Sequence, residues 1–261
     1  MSTFRDLHRT GTFVLPNPRD AGEARLFEAL GFAAVATTSA GFAATLGRRD
    51  QSVTRDELVQ HVTDLVAAVH VPVAVDAENG YADDPAGVAA TVRALAEVGA
   101  AGVSIEDYDP KARGLYDALL ARDRVSAAAE AAQASGIVVT ARSEGLLYGL
   151  AGVDETLGRL QAFAEAGADC LYAPGPRDLP TIERLVAYAG GPVNVLAFPG
   201  GPSVDELRDV GVRRVSVGSW FSTAATAVVA DLARTLLRGG GVPDDLPRPP
   251  ADLIERAWGR G

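Results

Sequence analysis

The sequence predicts an α/β fold, a (β/α)8 TIM barrel with a C-terminal arm and helix, on three observations. Eight short apolar or β-branched runs recur along the 261 residues, separated by segments rich in Ala, Leu, Glu and Arg with helical spacing. The runs are apolar on successive residues, so both faces are buried, as in a parallel sheet covered by helices. Eight strand–helix units in a chain of this length favour a closed barrel over an open doubly wound sheet.

In order, the strand-like runs are 12–15, 33–37, 71–75, 102–105, 137–140, 170–172, 193–196 and 214–217. Helices are expected over 21–30, 55–69, 85–98, 122–134, 154–166, 179–189, 204–209 and 221–237. Gly31, Gly99, Gly136, Gly167, Gly190 and Gly211 follow helices, where a left-handed closing residue is expected. No linker interrupts residues 1–238, which read as one catalytic barrel domain. Residues 238–250 are rich in Gly and Pro, and 251–258 carries Leu253, Ile254, Ala257 and Trp258 as a small apolar stripe. Residues 239–261 therefore read as an arm and helix that pack on the barrel or on a neighbouring subunit.

Composition narrows the function. The chain is 48% hydrophobic with a formal net charge of −10, and it lacks a basic stripe interleaved with aromatics, so nucleic acid is not an expected partner. No uncharged apolar run reaches membrane-spanning length, and Arg5, Asp6 and Arg9 occupy the place of a signal peptide's apolar core. The lone Cys170 permits no internal disulfide and suits a reducing, cytoplasmic setting. Lys111 is the only lysine, which reads as genomic base bias and not as chemistry.

In such a barrel the chemistry sits at the C-terminal ends of the strands. Asp76 and Glu78 follow the third run, and Glu106 ends the fourth at about the same height. Asp76 and Glu78 are two apart, so on a continuing strand they point the same way. Three carboxylates at one mouth repel unless a cation lies between them. Oxygen-only ligands without a nearby His favour Mg2+ or Mn2+ over Zn2+; the alternative is solvated or ion-paired loop acids. Arg142, across the mouth, is placed to clamp a substrate carboxylate or phosphonate, or else to pair with Glu106 or Glu144. Thr38, Ser39 and Ala40, before Gly41, offer hydroxyl and N–H groups to an oxyanion, although a plain turn reads the same. Asn194 lies near the end of the seventh run. None of His8, His61 and His70 falls on a strand end, Cys170 reads as core, and Lys111 lies on a loop, outside any Schiff-base position.

These residues resemble the isocitrate lyase/phosphoenolpyruvate mutase superfamily from Asn17 to about Ser219. The segments 36–41, 46–50, 75–81, 102–107 and 141–144 carry the resemblance, in order and in combination. The resemblance implies that Asp76 contacts Mg2+ directly or through water, with Glu78 and Glu106 nearby and Asp50 in the same acidic shell. It also implies that Arg142 binds a substrate carboxylate or phosphonate, and that Thr38, Ser39 and Ala40 receive the other oxygens. It implies a dimer or tetramer with an exchanged C-terminal helix, which the 239–258 arm would suit. One motif departs: where the lyases carry Lys-(Lys/Arg)-Cys-Gly-His, residues 108–116 contain neither Cys nor His. Ala173-Pro174-Gly175 stands where a Glu or His is frequent.

The expected reaction is Mg2+-dependent C–C cleavage or decarboxylation of a small 2-hydroxy or 2-oxo (di)carboxylic acid through a metal-stabilised enolate. Phosphonate P–C mutase or hydrolase chemistry, and 2-oxo acid binding without turnover, are the alternatives. Tyr81, Tyr108, Lys111 and Tyr116 are candidates for the proton donor or base, and 108–117 reads as a lid hinged at Gly114.

Overall fold

The computed structural model describes residues 3–259; the remaining residues of the 1–238 and 239–261 assignments lie outside it. Eight strands form one sheet: β1 (Phe13–Leu15), β2 (Val35–Ala36), β3 (Val73–Asp76), β4 (Gly102–Glu106), β5 (Val138–Arg142), β6 (Cys170–Tyr172), β7 (Val193–Leu196) and β8 (Arg214–Ser216). All pairings are parallel, running in chain order from β2 to β8 and then to β1. Each predicted run therefore contributes one barrel strand.

The β1–β2 seam has no ladder. Ala36 N–H donates to Pro16 O at 3.0 Å. Asn17 then spans the gap. Its Nδ2 donates to Thr37 O at 2.9 Å, while its Oδ1 accepts from Val217 and Gly218 N–H at 3.0 and 2.9 Å.

Eleven helices are described: α1 (Ala21–Leu30), α2 (Ser39–Thr45), α3 (Arg55–Ala68), α4 (Pro85–Glu97), α5 (Ala118–Ala132), α6 (Gly145–Tyr148), α7 (Val153–Glu165), α8 (Leu179–Tyr188), α9 (Val204–Asp209), α10 (Trp220–Leu237) and α11 (Ala251–Trp258). Their starts follow local chemistry. Thr54 and Glu57 form a reciprocal capping box on α3, as do Ser203 and Glu206 on α9. Asp20, Asp84 and Asp178 accept from the first-turn N–H groups of α1, α4 and α8. Between sheet and helices, Val62, Val88, Val92, Leu95 and Leu160 are fully buried; each such side chain contributes about 1.5–3 kcal/mol.

Three expectations are corrected. The helix expected at 122–134 begins at Ala118, because Asp117 accepts from Leu119 and Leu120 N–H and caps it. The segment after β2, read as a plain turn, is helix α2, capped by the Thr38 side chain. The 108–117 lid is a hairpin pairing Tyr108–Asp109 with Gly114–Leu115; Arg113 (φ 53°), not Gly114, takes the left-handed backbone at its turn. Of the two places expected for the arm helix α11, the barrel or a neighbouring subunit, it occupies the first within this chain, packing on α1 with Leu253 and Ala257 buried. Trp258 Nε1 donates to Gly22 O at 3.2 Å. The helix that stands proud is α10: of its residues only Ser222 is buried, and Val228, Val229, Leu236 and Leu237 are exposed.

Inside the barrel lies a polar layer. Arg214, 5% exposed, donates from Nε to Asn194 Oδ1 and from Nη2 to Thr140 Oγ1, both at 3.0 Å. Its Nη1 lies 3.3 Å from His8 Nε2. Asp76, Tyr172, Asn194, Arg214 and Ser216 share the wall of a cavity of about 60 Å3. No helix among the described residues is long and apolar enough to cross a membrane.

Candidate active site

The site is assembled at the C-terminal ends of β3, β4 and β5. β3 stops at Asp76, which corrects the idea that Asp76 and Glu78 share one face of a continuing strand. Glu78 instead adopts φ 47° and Tyr81 φ 56°. Such left-handed backbone costs of order 1 kcal/mol or more at a side-chain-bearing residue, so surrounding contacts must hold it. Asp76 is in register with Ser104, whereas Glu106 N–H donates to Glu78 O at 2.8 Å. Glu106 therefore stands level with Glu78, one layer above Asp76.

Arg142 ties the cluster together. Its Nη1 meets Asp76 Oδ1 at 2.9 Å, its Nη2 meets Glu106 Oε1 at 3.0 Å, and its Nε meets Glu144 Oε1 at 2.9 Å. The guanidinium also lies 4.9 Å from the centroid of the Tyr172 ring. Both pairings weighed for Arg142, with Glu106 and with Glu144, are present, and Asp76 adds a third. Burial raises the Glu106 and Glu144 pKa values despite this cation.

Glu78 is the member of the cluster that Arg142 does not pair. Burial first, then the charges of Asp76 and Asp50, push its pKa up to about 8. Its Oε1 is buried and has no hydrogen-bond partner. Asp50 sits at the rim; crowding around its carboxyl and the Asp76 charge raise its pKa. The Tyr81 phenol is raised by burial and by the neighbouring Glu78 and Asp76 charges.

The remaining expected residues divide. Thr38 is absorbed in capping α2, and Ser39 N–H donates to Asp76 Oδ2 at 3.2 Å, so this stretch orients the carboxylate cluster. Ala40 lines a groove between α2 and α10. Asn194 is buried in the barrel, donating to Ser216 Oγ at 3.0 Å and accepting from Arg214. Lys111 is not brought to the cluster: its Nζ pairs with Asp83 at 2.5 Å and its side chain is 75% exposed. Tyr108 stacks on Tyr148, ring centroids 4.4 Å apart.

Sequence reasoning missed Tyr148. Its ring stacks on that of Tyr108, and burial and the charges of Glu106, Glu144 and Asp50 raise its phenol pKa. The available signal was its place on α6, directly after the Arg142–Glu144 strand end. Asp107 was noted only as part of a motif. It accepts from Glu144 N–H at 2.8 Å and Ser143 Oγ at 3.1 Å, and Arg159 lies 3.4 Å away. This second buried network clips the ends of β4 and β5 together beneath the carboxylates.

Among the described residues, no three His, Cys, Asp or Glu side chains form a ready-made metal cage. The donor chemistry nevertheless suits a hard divalent cation: oxygen ligands only, crowded negative charge, and an unpartnered buried oxygen on Glu78. Mg2+ characteristically takes one or two carboxylates and completes its shell with water and substrate oxygens.

The family profile described as phosphoenolpyruvate phosphomutase matches residues 4–237, and the chain belongs to that family, within the isocitrate lyase/phosphoenolpyruvate mutase superfamily. A structure assigned provisionally as a lyase/mutase from Burkholderia cenocepacia superposes with a TM-score of 0.94 at 42% identity, covering 98% of this chain and 95% of its own. The oxaloacetate decarboxylase of Paraburkholderia xenovorans is 31% identical over 92% of this chain and 83% of its own length. The 2-methylisocitrate lyase of Salmonella typhimurium is 30% identical over 74% of this chain and 69% of its own length. The chain is an enzyme of this superfamily.

Proposed function

We propose that the chain is a Mg2+-dependent (or Mn2+-dependent) carbon–carbon lyase or decarboxylase acting on a small 2-hydroxy or 2-oxo dicarboxylic acid. One observation carries the reading. Asp76, Glu106 and Glu144 converge on a single buried guanidinium, and Glu78 beside them keeps an unpartnered oxygen. That excess of negative charge is a site for a divalent cation. Asp76, Glu78 and Glu106 would hold it, with Asp50 at the rim. Bound there, the cation supplies positive charge where an enolate oxygen develops.

The chain's own residues do the rest. Arg142 presents its remaining N–H groups to a substrate carboxylate while its carboxylate partners fix its plane. Ser39 N–H, at the start of α2, keeps Asp76 aligned. Tyr108 and Tyr148 form an aromatic wall at the mouth that excludes water when the hairpin is down. Loss of Cys and His from the hairpin removes the acid that the resemblance assigns to the related lyases. The proton therefore comes from another group, with Tyr81 and Tyr148, whose phenols feel the charges of the cluster, as the candidates.

The same experiment separates two other readings. The family description favours phosphonate P–C chemistry at the same cation and Arg142. The exposed position of Lys111 favours 2-oxo acid binding without turnover. The protein is incubated with Mg2+ and oxaloacetate, isocitrate, 2-methylisocitrate, related diacids and phosphonopyruvate, with Asp76→Ala as control. Proton NMR detects C–C products and phosphorus NMR detects phosphate or phosphoenolpyruvate. Metal-dependent C–C products that vanish in the variant are expected. Phosphorus products favour the P–C reading, and Mg2+-dependent oxalate binding without any product favours the binding protein. We also propose a cytoplasmic homo-oligomer, a dimer or tetramer, assembled through the exposed apolar side of α10.

A further inference from the structure

The turn that carries Glu78 needs an external brace, and the structure supplies one from two elements. Gly80 N–H closes the turn on Ala77 O at 2.7 Å, and Thr91 Oγ1 of α4 donates to Gly80 O at 2.8 Å. The strongest brace is Arg124 of α5, which is 1% exposed. Its Nη1 donates to Ala82 O at 2.5 Å and Asp83 O at 2.7 Å, and its Nη2 donates to Asn79 O. No ion pair to a carboxylate is present for Arg124 among the described residues. A buried guanidinium without a directly paired carboxylate is costly, so it is held in place by the carbonyls it donates to.

The same guanidinium lies over the Tyr116 ring, 4.0 Å from its centroid. Tyr116 follows the second strand of the lid hairpin. Its hydroxyl accepts from Asn79 Nδ2 at 3.0 Å and donates to Asp83 Oδ1 at 3.1 Å. The Asn79 side chain then accepts Tyr81 N–H at 3.1 Å. Asp83 also takes Lys111 from the hairpin turn. Arg124 thus holds the carbonyls of Asn79, Ala82 and Asp83, and the lid reaches Asn79 and Asp83 through Tyr116 and Lys111.

We propose that Arg124 is a positioning residue that holds the Asp76–Tyr81 turn in the conformation presenting Glu78, and that Tyr116 couples this turn to the lid. The metal-affinity part rests on the divalent-cation reading above. Arg124 touches neither substrate nor metal; it acts through main-chain carbonyls. A lysine cannot replace it fully, because one ammonium does not span the separate carbonyls that a guanidinium fork reaches.

The test uses the full chain with Arg124→Lys and Tyr116→Phe. Deuterium exchange read by mass spectrometry on metal-free protein follows peptides 76–84 and 107–117, with strands β6–β8 as internal reference. Mn2+ half-saturation is measured on the same samples by electron paramagnetic resonance. Both variants are expected to exchange faster in 76–84 and 107–117 together, with β6–β8 unchanged. Their Mn2+ half-saturation is expected to rise on the order of tenfold, the usual cost of losing a residue that orients metal ligands. Unchanged exchange in 76–84 overturns the proposal. Faster exchange with unchanged Mn2+ half-saturation also overturns it, by reducing Arg124 to a packing residue. Wild type that binds no Mn2+ defeats the cation reading instead, and the exchange data alone then decide whether Arg124 braces the turn and couples it to the lid.

Discussion

Two residues carry most of the site's electrostatic tension. Glu78 binds its proton more tightly folded, at about pH 8, than an ordinary glutamate does when unfolded. Between the ordinary glutamate range and pH 8 the folded state therefore holds more protons, and its stability falls as pH rises. Metal-free protein should melt at a lower temperature at pH 8.5 than at pH 5.5, and Mg2+ should restore much of the loss by binding the ionised form. In Glu78→Gln the pH-dependent drop should shrink and the Mg2+ effect weaken; calorimetry with and without EDTA reads both. Arg142 carries the opposite risk. Its replacement by Met leaves Asp76, Glu106 and Glu144 without their common cation, a loss of about 3–5 kcal/mol by chemical denaturation. The carboxylate positions were legible in the sequence because acids at strand ends are uncommon without a purpose. The three-way grip of Arg142 was not, since it depends on the β4–β5 register that places Glu106 opposite it.

Among elements, the barrel strands were the most legible part, because a run apolar on successive residues has few other homes than a buried parallel strand. The lid was not. Residues 108–116 look like a polar loop, and their pairing as a hairpin depends on contacts with Asp83 and Asn79 far along the chain. Helix α2 was hidden for a related reason: Thr38 caps it, but its seven residues are too few to display a helical period. Lys111 is the lid's cation, and its pair with Asp83 is exposed and screened by solvent, so it contributes little. Lys111→Ala should therefore keep kcat close to wild type on whichever substrate the panel identifies, with at most a change in KM. A collapse of kcat by two orders of magnitude or more would instead make Lys111 the missing acid. Tyr108→Ala, which strips one ring from the stacked wall, should lower kcat more than Lys111→Ala does.

For the whole molecule, α10 is the element without a full complement of neighbours. Val228, Val229, Leu236 and Leu237 lie exposed along it, so Val229→Asp with Leu237→Asp should shift sedimentation towards the monomer. Monomeric wild type at micromolar concentration would reject that assembly. The seam between β1 and β2 has a different outcome. Every other strand boundary is a ladder, but this one relies on a single main-chain bond and on the Asn17 side chain. Asn17→Ala leaves two buried main-chain groups and one part-buried group unpaired, at roughly 1–3 kcal/mol for each group that finds no water. Where the seam parts, the cylinder becomes an open eight-stranded sheet with two raw edges. Unpaired parallel edges are templates for other chains, so this variant should fail on heating by concentration-dependent clumping, seen as light scattering, before the helices melt. One asparagine thus guards the molecule against its own copies.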